Sequence, residues 1–186
     1  MIYLPKKIVL KNGLEVILRS PEVEDASALI KQIIAVASST DYLLSTPEDF
    51  QSYLDDIKKE EDFIRWSKTD NGYWIIACIN HEIVGNCSLR FYKHVKDKHR
   101  GTIGIAIDEK YRGVGLGSIL FDEMINIAKS SDDIEQIELD VIDKNIAAIN
   151  LYKSKGFIEV GRIPHQLKLK DGSYLDGVSM TLFLNK

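Results

Sequence analysis

The chain has 186 residues, of which 45% are hydrophobic and 28% charged, a balance that suits one globular domain with a sizeable core. Its net charge of -4 argues against a general nucleic-acid binder, and no apolar run approaches the roughly 20 residues of a membrane span. No charged-then-apolar leader precedes Lys6 and Lys7, so a single domain over residues 1–186 in the cytoplasm is expected.

Lys7 to Leu10 and Leu14 to Arg19 flank Asn12-Gly13, a strong hairpin signal. From Asp25 to Ser38, Ala28, Leu29, Ile33, Ile34 and Ala37 recur at helical spacing. Thr46 and Pro47 read as the cap and first turn of a second helix through Phe50, Tyr53, Leu54 and Ile57. The Ser39 to Ser45 linker is open to two readings, a substrate-facing loop or a plain surface connection.

Trp74 to Ile79 and Glu82 to Arg90 form a second hairpin about Asn80-His81, which sets Ile79 opposite Glu82 and Cys78 opposite Ile83. Cys87 then falls four residues further along the same strand face, roughly 13 Å from Cys78 and too far for a disulfide. Both thiols are expected to be reduced, and no histidine pattern accompanies them, so no metal site is expected. Lys93 to Arg100 is a charge run of the kind usually found in a solvated loop.

The stretch from Thr102 to Ser130 carries the chemistry. Thr102 to Asp108 is a short β-branched strand. Arg112, Gly113, Gly115 and Gly117 follow, and Leu116, Ile119, Leu120, Met124, Ile127 and Ala128 then recur at helical spacing. A strand, a glycine-rich loop and a helix start can hold an anion, because the first N–H groups of a helix lack partners and sit at its positive end. A P-loop would need Lys then Ser or Thr after the last glycine, whereas Gly117 is followed by Ser118-Ile119. A dinucleotide fingerprint would need Gly or Ala at Ser118.

Ile134 to Val141 alternates apolar and polar residues as a strand does, and Asp143-Lys144-Asn145 caps a short helix that runs through Lys155 to Gly156. Phe157 to Ile163 and Val178 to Leu184 read as a closing strand pair. The connection from His165 to Gly177 carries turn signals at Asp171-Gly172 and Asp176-Gly177.

Arg112-Gly113-Val114-Gly115-Leu116-Gly117 resembles motif A of the GNAT N-acetyltransferase superfamily, Arg/Gln-x-x-Gly-x-Gly/Ala. Asn145-x-x-Ala148-x-x-Leu151-Tyr152-x-x-x-Gly156-Phe157 is similar to its motif B. Asn145 and Tyr152 are nearly two helical turns and about 10 Å apart, so they share a face with small Ala148 between them. Taken alone, Asn145 reads as a helix cap and Tyr152 as a core residue. The tail resembles the bacterial branch that includes ribosomal-protein N-terminal acetyltransferases.

The resemblance implies an α/β (α+β) fold, a central mixed, mostly antiparallel sheet flanked by helices and splayed between the fourth and fifth core strands. It implies acetyl-CoA as cosubstrate, with its pantetheine against the backbone of Ile105, Ala106 and Ile107. Its pyrophosphate would rest on Arg112, Gly113, Val114, Gly115, Leu116, Gly117 and Ser118, and Asn145 and Ala148 would line the cofactor arm. Tyr152 would be the general acid for the leaving thiolate. His99 stands nearest to the place where some relatives carry a glutamate base, with Asp108 and Asp140 as further candidates.

The implied reaction moves acetyl to a primary amine, on a small molecule or peptide, by direct transfer in a ternary complex. A lysine-like amine is neutral in roughly one molecule in 2,500 at pH 7, a deficit of about 4 to 5 kcal/mol, whereas for an α-amine the deficit is about 1 kcal/mol. The variable Ser38 to Ser45 and His165 to Gly177 loops would choose the acceptor, and a homodimer is common among such relatives. The alternatives are a CoA-binding regulatory module without turnover and a nucleotide-binding protein of another fold.

Overall fold

The computed structural model describes the chain apart from residues 51, 52, 55, 70, 71, 185 and 186. An eight-stranded sheet runs in the order β1-β2-β3-β4-β5-β6-β8-β7. Its strands are β1 (Lys6–Val9), β2 (Glu15–Arg19), β3 (Gly72–Ile79), β4 (Glu82–Phe91), β5 (Arg100–Ile107), β6 (Gln136–Ile142), β7 (Ile158–Lys168) and β8 (Tyr174–Phe183). The helices are α1 (Ala26–Ser38), α2 (Lys58–Ser67), α3 (Leu116–Ser130) and α4 (Ile146–Ser154). Every pairing is antiparallel except β5 with β6, which are joined through α3 and run parallel. Counted from β2, these are the fourth and fifth strands, as the resemblance implies.

The sheet is covered on both faces. On one, Leu116, Leu120, Phe121, Met124 and Ala128 of α3 are buried with Tyr152 of α4 against Ile103, Ile137 and Leu139. On the other, Ala26 and Leu29 of α1 and Ile64 of α2 pack on Trp74, Ile76 and Cys78. β3 is buried along nearly its whole length because it lies between both layers, which is why it reads as an unbroken apolar run.

Three expectations change. A bulge in the β3–β4 pair opens directly after the expected Ile79–Glu82 and Cys78–Ile83 pairs, leaving Ala77 opposite Gly85. The extra residue reverses which face the rest of β4 presents, so Cys78 packs toward α1 and Cys87 toward α3; both are buried free thiols on opposite sides of the sheet. The helix expected from Pro47 is a 3-10 turn over Pro47–Phe50 followed by helical Tyr53 and Leu54, and its Gln51, Ser52 and Asp55 lie outside the described residues. The third is α2, a helix absent from the sequence expectations: of its ten residues only Ile64 is buried, and Phe63 and Trp66 beside it are left exposed.

The His165 to Gly177 connection is mostly strand, the turn being confined to residues 169–173. Asp171 makes that turn by accepting from the Ser173 N–H, whereas Asp176 and Gly177 sit within β8. Lys93 to Lys96 form an exposed stretch between β4 and β5.

Phe121 has no exposed surface and stands between Tyr152 at 4.9 Å and Phe157 at 5.9 Å, ring centre to ring centre. Phe121→Ala is expected to cost about 3–5 kcal/mol through the cavity it leaves, read as a lowered midpoint in urea unfolding.

Candidate active site

β5 and β6 pair over three positions only, Arg100 with Gln136, Gly101 with Ile137 and Thr102 with Glu138. Glu138 fastens that closed end, accepting from Tyr92 Oη at 2.5 Å and from the Arg100 guanidinium. Beyond it the two strands diverge. The direction of the free backbone groups follows from strand alternation. The carbonyl of His99 accepts from Glu135 and Gln136, on the β6 side. That of Arg100 accepts from Tyr92, and the N–H of Asp108 donates to Val84, both on the β4 side. Ile105 and Ile107 therefore aim N–H and C=O into the gap, while Ala106 turns its own toward β4, opposite Asn86.

The glycine loop closes the wide end of the gap. Gly113 and Gly115 have φ of 76° and 95°, left-handed values that other residues adopt at a cost. Gly115 is the residue before α3, and no side chain caps that helix, so the first-turn N–H groups of Leu116, Gly117 and Ser118 are left for a ligand. The Leu116 side chain is fully buried, so it can offer only its backbone. A Cβ on Gly117 would lie 3.2 Å from Leu151 Cδ2 and 3.3 Å from Ile107 Cδ1; the missing side chain lets α3, α4 and β5 converge. Val114 is half-buried behind the loop.

The Arg112 guanidinium does not face the helix start. Its Nε donates to the Ile107 carbonyl at 2.9 Å and Nη2 to Ser39 Oγ at 2.8 Å, making it a strut between the end of β5 and the segment after α1. Another cation takes the exposed side of the loop: the Lys11 side chain lies 3.7–3.8 Å from where a Gly115 Cβ would be. Among the described residues Lys11 has no carboxylate partner. Nothing in the linear sequence connects residue 11 with residue 115; only the folding of the first hairpin alongside α3 does so.

On α4, Asn145 Oδ1 caps the helix by accepting from the Ala148 N–H at 3.3 Å, and Ala148 is half-buried. Tyr152 is buried, and among the described residues its phenol has no hydrogen-bond partner. Burial, with Cys87 adding to it, pushes the Tyr152 pKa far above that of an ordinary phenol, so the group stays protonated at neutral pH.

Asp108 follows Ile107 and turns to the α1 face, where Gln32 Nε2 donates to its Oδ1 at 3.0 Å. Asn86 Nδ2 in turn donates to Gln32 Oε1 at 2.8 Å. Burial raises the Asp108 pKa against the opposing Gln32 hydrogen bond and the charges of Arg112 and Lys110. The structure does not bring His99 to these groups. It lies at the closed end of the gap, eight residues and about 26 Å of strand from Ile107. Asp140 is exposed on β6 and accepts from Ser179 Oγ at 2.6 Å. Of the two loops expected to choose the acceptor, the His165 to Gly177 connection pairs through Lys170 with Glu48, 2.7 Å away in the 3-10 turn just past the Ser38 to Ser45 loop. Among the described residues no group of three His, Cys, Asp or Glu side chains could hold a metal ion, and no helix is long and apolar enough to cross a membrane.

The sequence model described as "Acetyltransferase (GNAT) family" matches residues 26–157, from the start of α1 through the glycine loop to the end of α4. The chain belongs to the GNAT acetyltransferase family. It is therefore an acyltransferase by descent. Among curated relatives, the L-amino acid N-acetyltransferase AaaT of Escherichia coli K12 is 30% identical over 57% of this chain and 65% of its own length. An N-alpha-acetyltransferase of Sulfurisphaera tokodaii is 27% identical over 89% of this chain and 93% of its own. A GNAT acetyltransferase structure from Streptococcus pneumoniae superposes with a TM-score of 0.81 at 25% identity, covering 90% of this chain and 99% of that one. The same GNAT architecture is seen in yncA from Salmonella typhimurium, solved with its cofactor acetyl-CoA, at a TM-score of 0.77 and 18% identity over 91% and 94% of the two chains.

Gly113→Ala and Gly115→Ala are each expected to lose about 1–2 kcal/mol of stability from the left-handed backbone alone. Gly161→Ala, at a position with no positive φ and nothing within 4 Å of its Cβ, should stay within about 0.5 kcal/mol of the parent in the same unfolding assay.

Proposed function

We propose that the protein moves an acetyl group from acetyl-CoA to an α-amine by direct attack within a ternary complex. The observation that carries this reading is the meeting of three features: backbone N–H groups at Ile105 and Ile107 that face an open gap, an uncapped helix start at Gly115, and α4 with Tyr152 packed against both through Leu151 and Gly117. The fit to acetyl-CoA is physical. A strand edge suits the amide groups of a pantetheine arm. Left-handed glycines at a helix start, with Lys11 beside them, suit a pyrophosphate. Asn145 and Ala148 line the arm from α4, Asn145 with the amide hydrogens its cap does not use.

When bound, acetyl-CoA supplies an activated thioester. The Ile107 N–H donates to the carbonyl oxygen as negative charge develops there. Attack by the amine forms the C–N bond and breaks the C–S bond. Tyr152 gives its proton to the departing sulfur, and Asp108, directly or through one water, takes the proton that the amine loses. Asp108 suits that role better than His99 because it stands next to Ile107 and is held by Gln32. An α-amine as acceptor is supported by two relatives whose names specify amino acids and α-amines, and by its small deprotonation cost. The acceptor is a free amino acid or a peptide N-terminus.

Titration of the protein with acetyl-CoA, ATP and NAD by calorimetry, followed by a thiol-release assay with amine acceptors, tests the reading. Binding confined to acetyl-CoA together with amine-dependent thiol release is expected. Binding without release would favour a regulatory module, and a preference for ATP or NAD would favour another nucleotide-binding function. Tyr152→Phe should lower kcat by about 10²–10⁴-fold with acetyl-CoA affinity retained.

Asp108 must be ionised to accept the proton, so activity should fall as pH drops through its raised pKa. Asp108→Asn should remove that acid limb from the kcat profile and lower the plateau about 100-fold.

A further inference from the structure

The first hairpin brings a cation to the glycine loop from outside the stretch that the family model matches. β1 and β2 lie before residue 26, where that match begins, yet the tip between them reaches the start of α3. Its shape follows from local chemistry. Gly13 takes φ of 83°, its N–H donates to the Leu10 carbonyl at 2.9 Å, and Asn12 Oδ1 accepts from the Leu14 N–H at 3.2 Å. Leu10 is buried with Leu116 and Leu120 of α3 in one core. That anchor sets the next residue, exposed Lys11, on the rim of the glycine loop.

The Lys11 stem lies along the loop. Its Cγ, Cδ and Cε are 3.7, 3.8 and 3.8 Å from where a Gly115 Cβ would be, so three successive carbons cover the bare glycine. This is the posture of an aliphatic stem on backbone with its ammonium kept in water. The other lysines of the hairpin are engaged, Lys6 with Glu123 at 2.5 Å and Lys7 with Glu15 at 2.7 Å, whereas no carboxylate among the described residues pairs with Lys11. The cations nearest the helix start in sequence serve another face. Arg112 holds the Ile107 carbonyl and Ser39, and the charges of Arg112 and Lys110 both bear on Asp108.

We propose that Lys11 binds the diphosphate of CoA at the start of α3, supplying there the charge that Arg112, held as a strut, does not bring. The proposal rests on the acetyl-CoA reading above. The free N–H groups of Leu116, Gly117 and Ser118 offer only partial positive charge, whereas each phosphate of the diphosphate carries a formal negative one. An ammonium on a flexible stem meets either phosphate as a point charge, without any backbone movement. The hairpin and the helix start then hold the diphosphate from two sides. In this way Lys11 selects thioesters that carry a diphosphate over those built on pantetheine alone.

Calorimetry with CoA reads this contribution without turnover. Lys11→Gln is expected to weaken CoA about 10- to 100-fold at low salt, the effect of losing one charge-assisted hydrogen bond, and Lys11→Arg to stay within about threefold of the parent. Dephospho-CoA lacks the 3′-phosphate but keeps the diphosphate, so the ratio between parent and Lys11→Gln should be the same with it. Raising salt from about 0.02 to about 0.3 M should weaken CoA binding by the parent more steeply than by Lys11→Gln, because an exposed charge contact is screened. In thiol release the loss should fall on KM for acetyl-CoA rather than on kcat, since the diphosphate is held alike before and during transfer. Lys11 is exposed, so both variants should keep the parent's midpoint in urea unfolding.

CoA affinity unchanged in Lys11→Gln, or a loss seen with CoA and absent with dephospho-CoA, would overturn the proposal while leaving acetyl transfer intact. So would a larger loss and a flatter salt dependence in Arg112→Gln than in Lys11→Gln. Failure of the parent itself to bind acetyl-CoA would overturn both readings.

Discussion

The structure depends on a parallel strand pair that is allowed to form at one end only. β5 and β6 share three ladder positions, and past Thr102 and Glu138 each strand keeps its own outer neighbour but loses the other. Strand backbone left without a partner is costly when buried and invites another chain when exposed. Here the opening is held by features at both ends. Glu138 ties Arg100 and Tyr92 across the closed end. At the open end α3 and α4 press together through Gly117 and Leu151, which leaves the helix layer, rather than strand pairing, to hold β5 and β6 in place.

From that opening the rest of the site follows. Right-handed crossover from β5 to β6 requires a helix between them, and its amino end must start where β5 stops. The glycine loop is therefore the seam between an open strand edge and an uncapped helix, two sets of donors aimed at one elongated ligand. Arg112, in spite of its charge, serves the seam mechanically by joining the Ile107 carbonyl to Ser39. Because Ser39 directly follows α1, this strut also couples the loop to the layer that carries Gln32.

Much of this was legible in the sequence because it rests on local chemistry. Gly113 and Gly115 declare a left-handed turn, Asn145 a cap, and Asn80-His81 a two-residue hairpin that sets the Ile79–Glu82 pair as read. What escaped depends on distant contacts. One residue of bulge in β4 separates Cys78 from Cys87 by the thickness of the sheet, and no residue pattern announces it. α2 has only three apolar residues, Phe63, Ile64 and Trp66, in a charged ten-residue segment, and it is tertiary contact at Ile64 that anchors it to the sheet. Lys11 reaches Gly115 across a separation of more than a hundred residues. His99 looked suitable by type and by its place before β5, yet the strand runs away from it before the gap opens.

The most direct test is amide hydrogen exchange followed with and without acetyl-CoA. If the open strand edge and the uncapped helix start receive the ligand together, protection will rise at residues 103–107 and 113–119 in one binding step, with little change across Lys58–Ser67 of α2. Saturating acetyl-CoA that protects some other segment, or leaves residues 103–107 exchanging as before, would contradict the account.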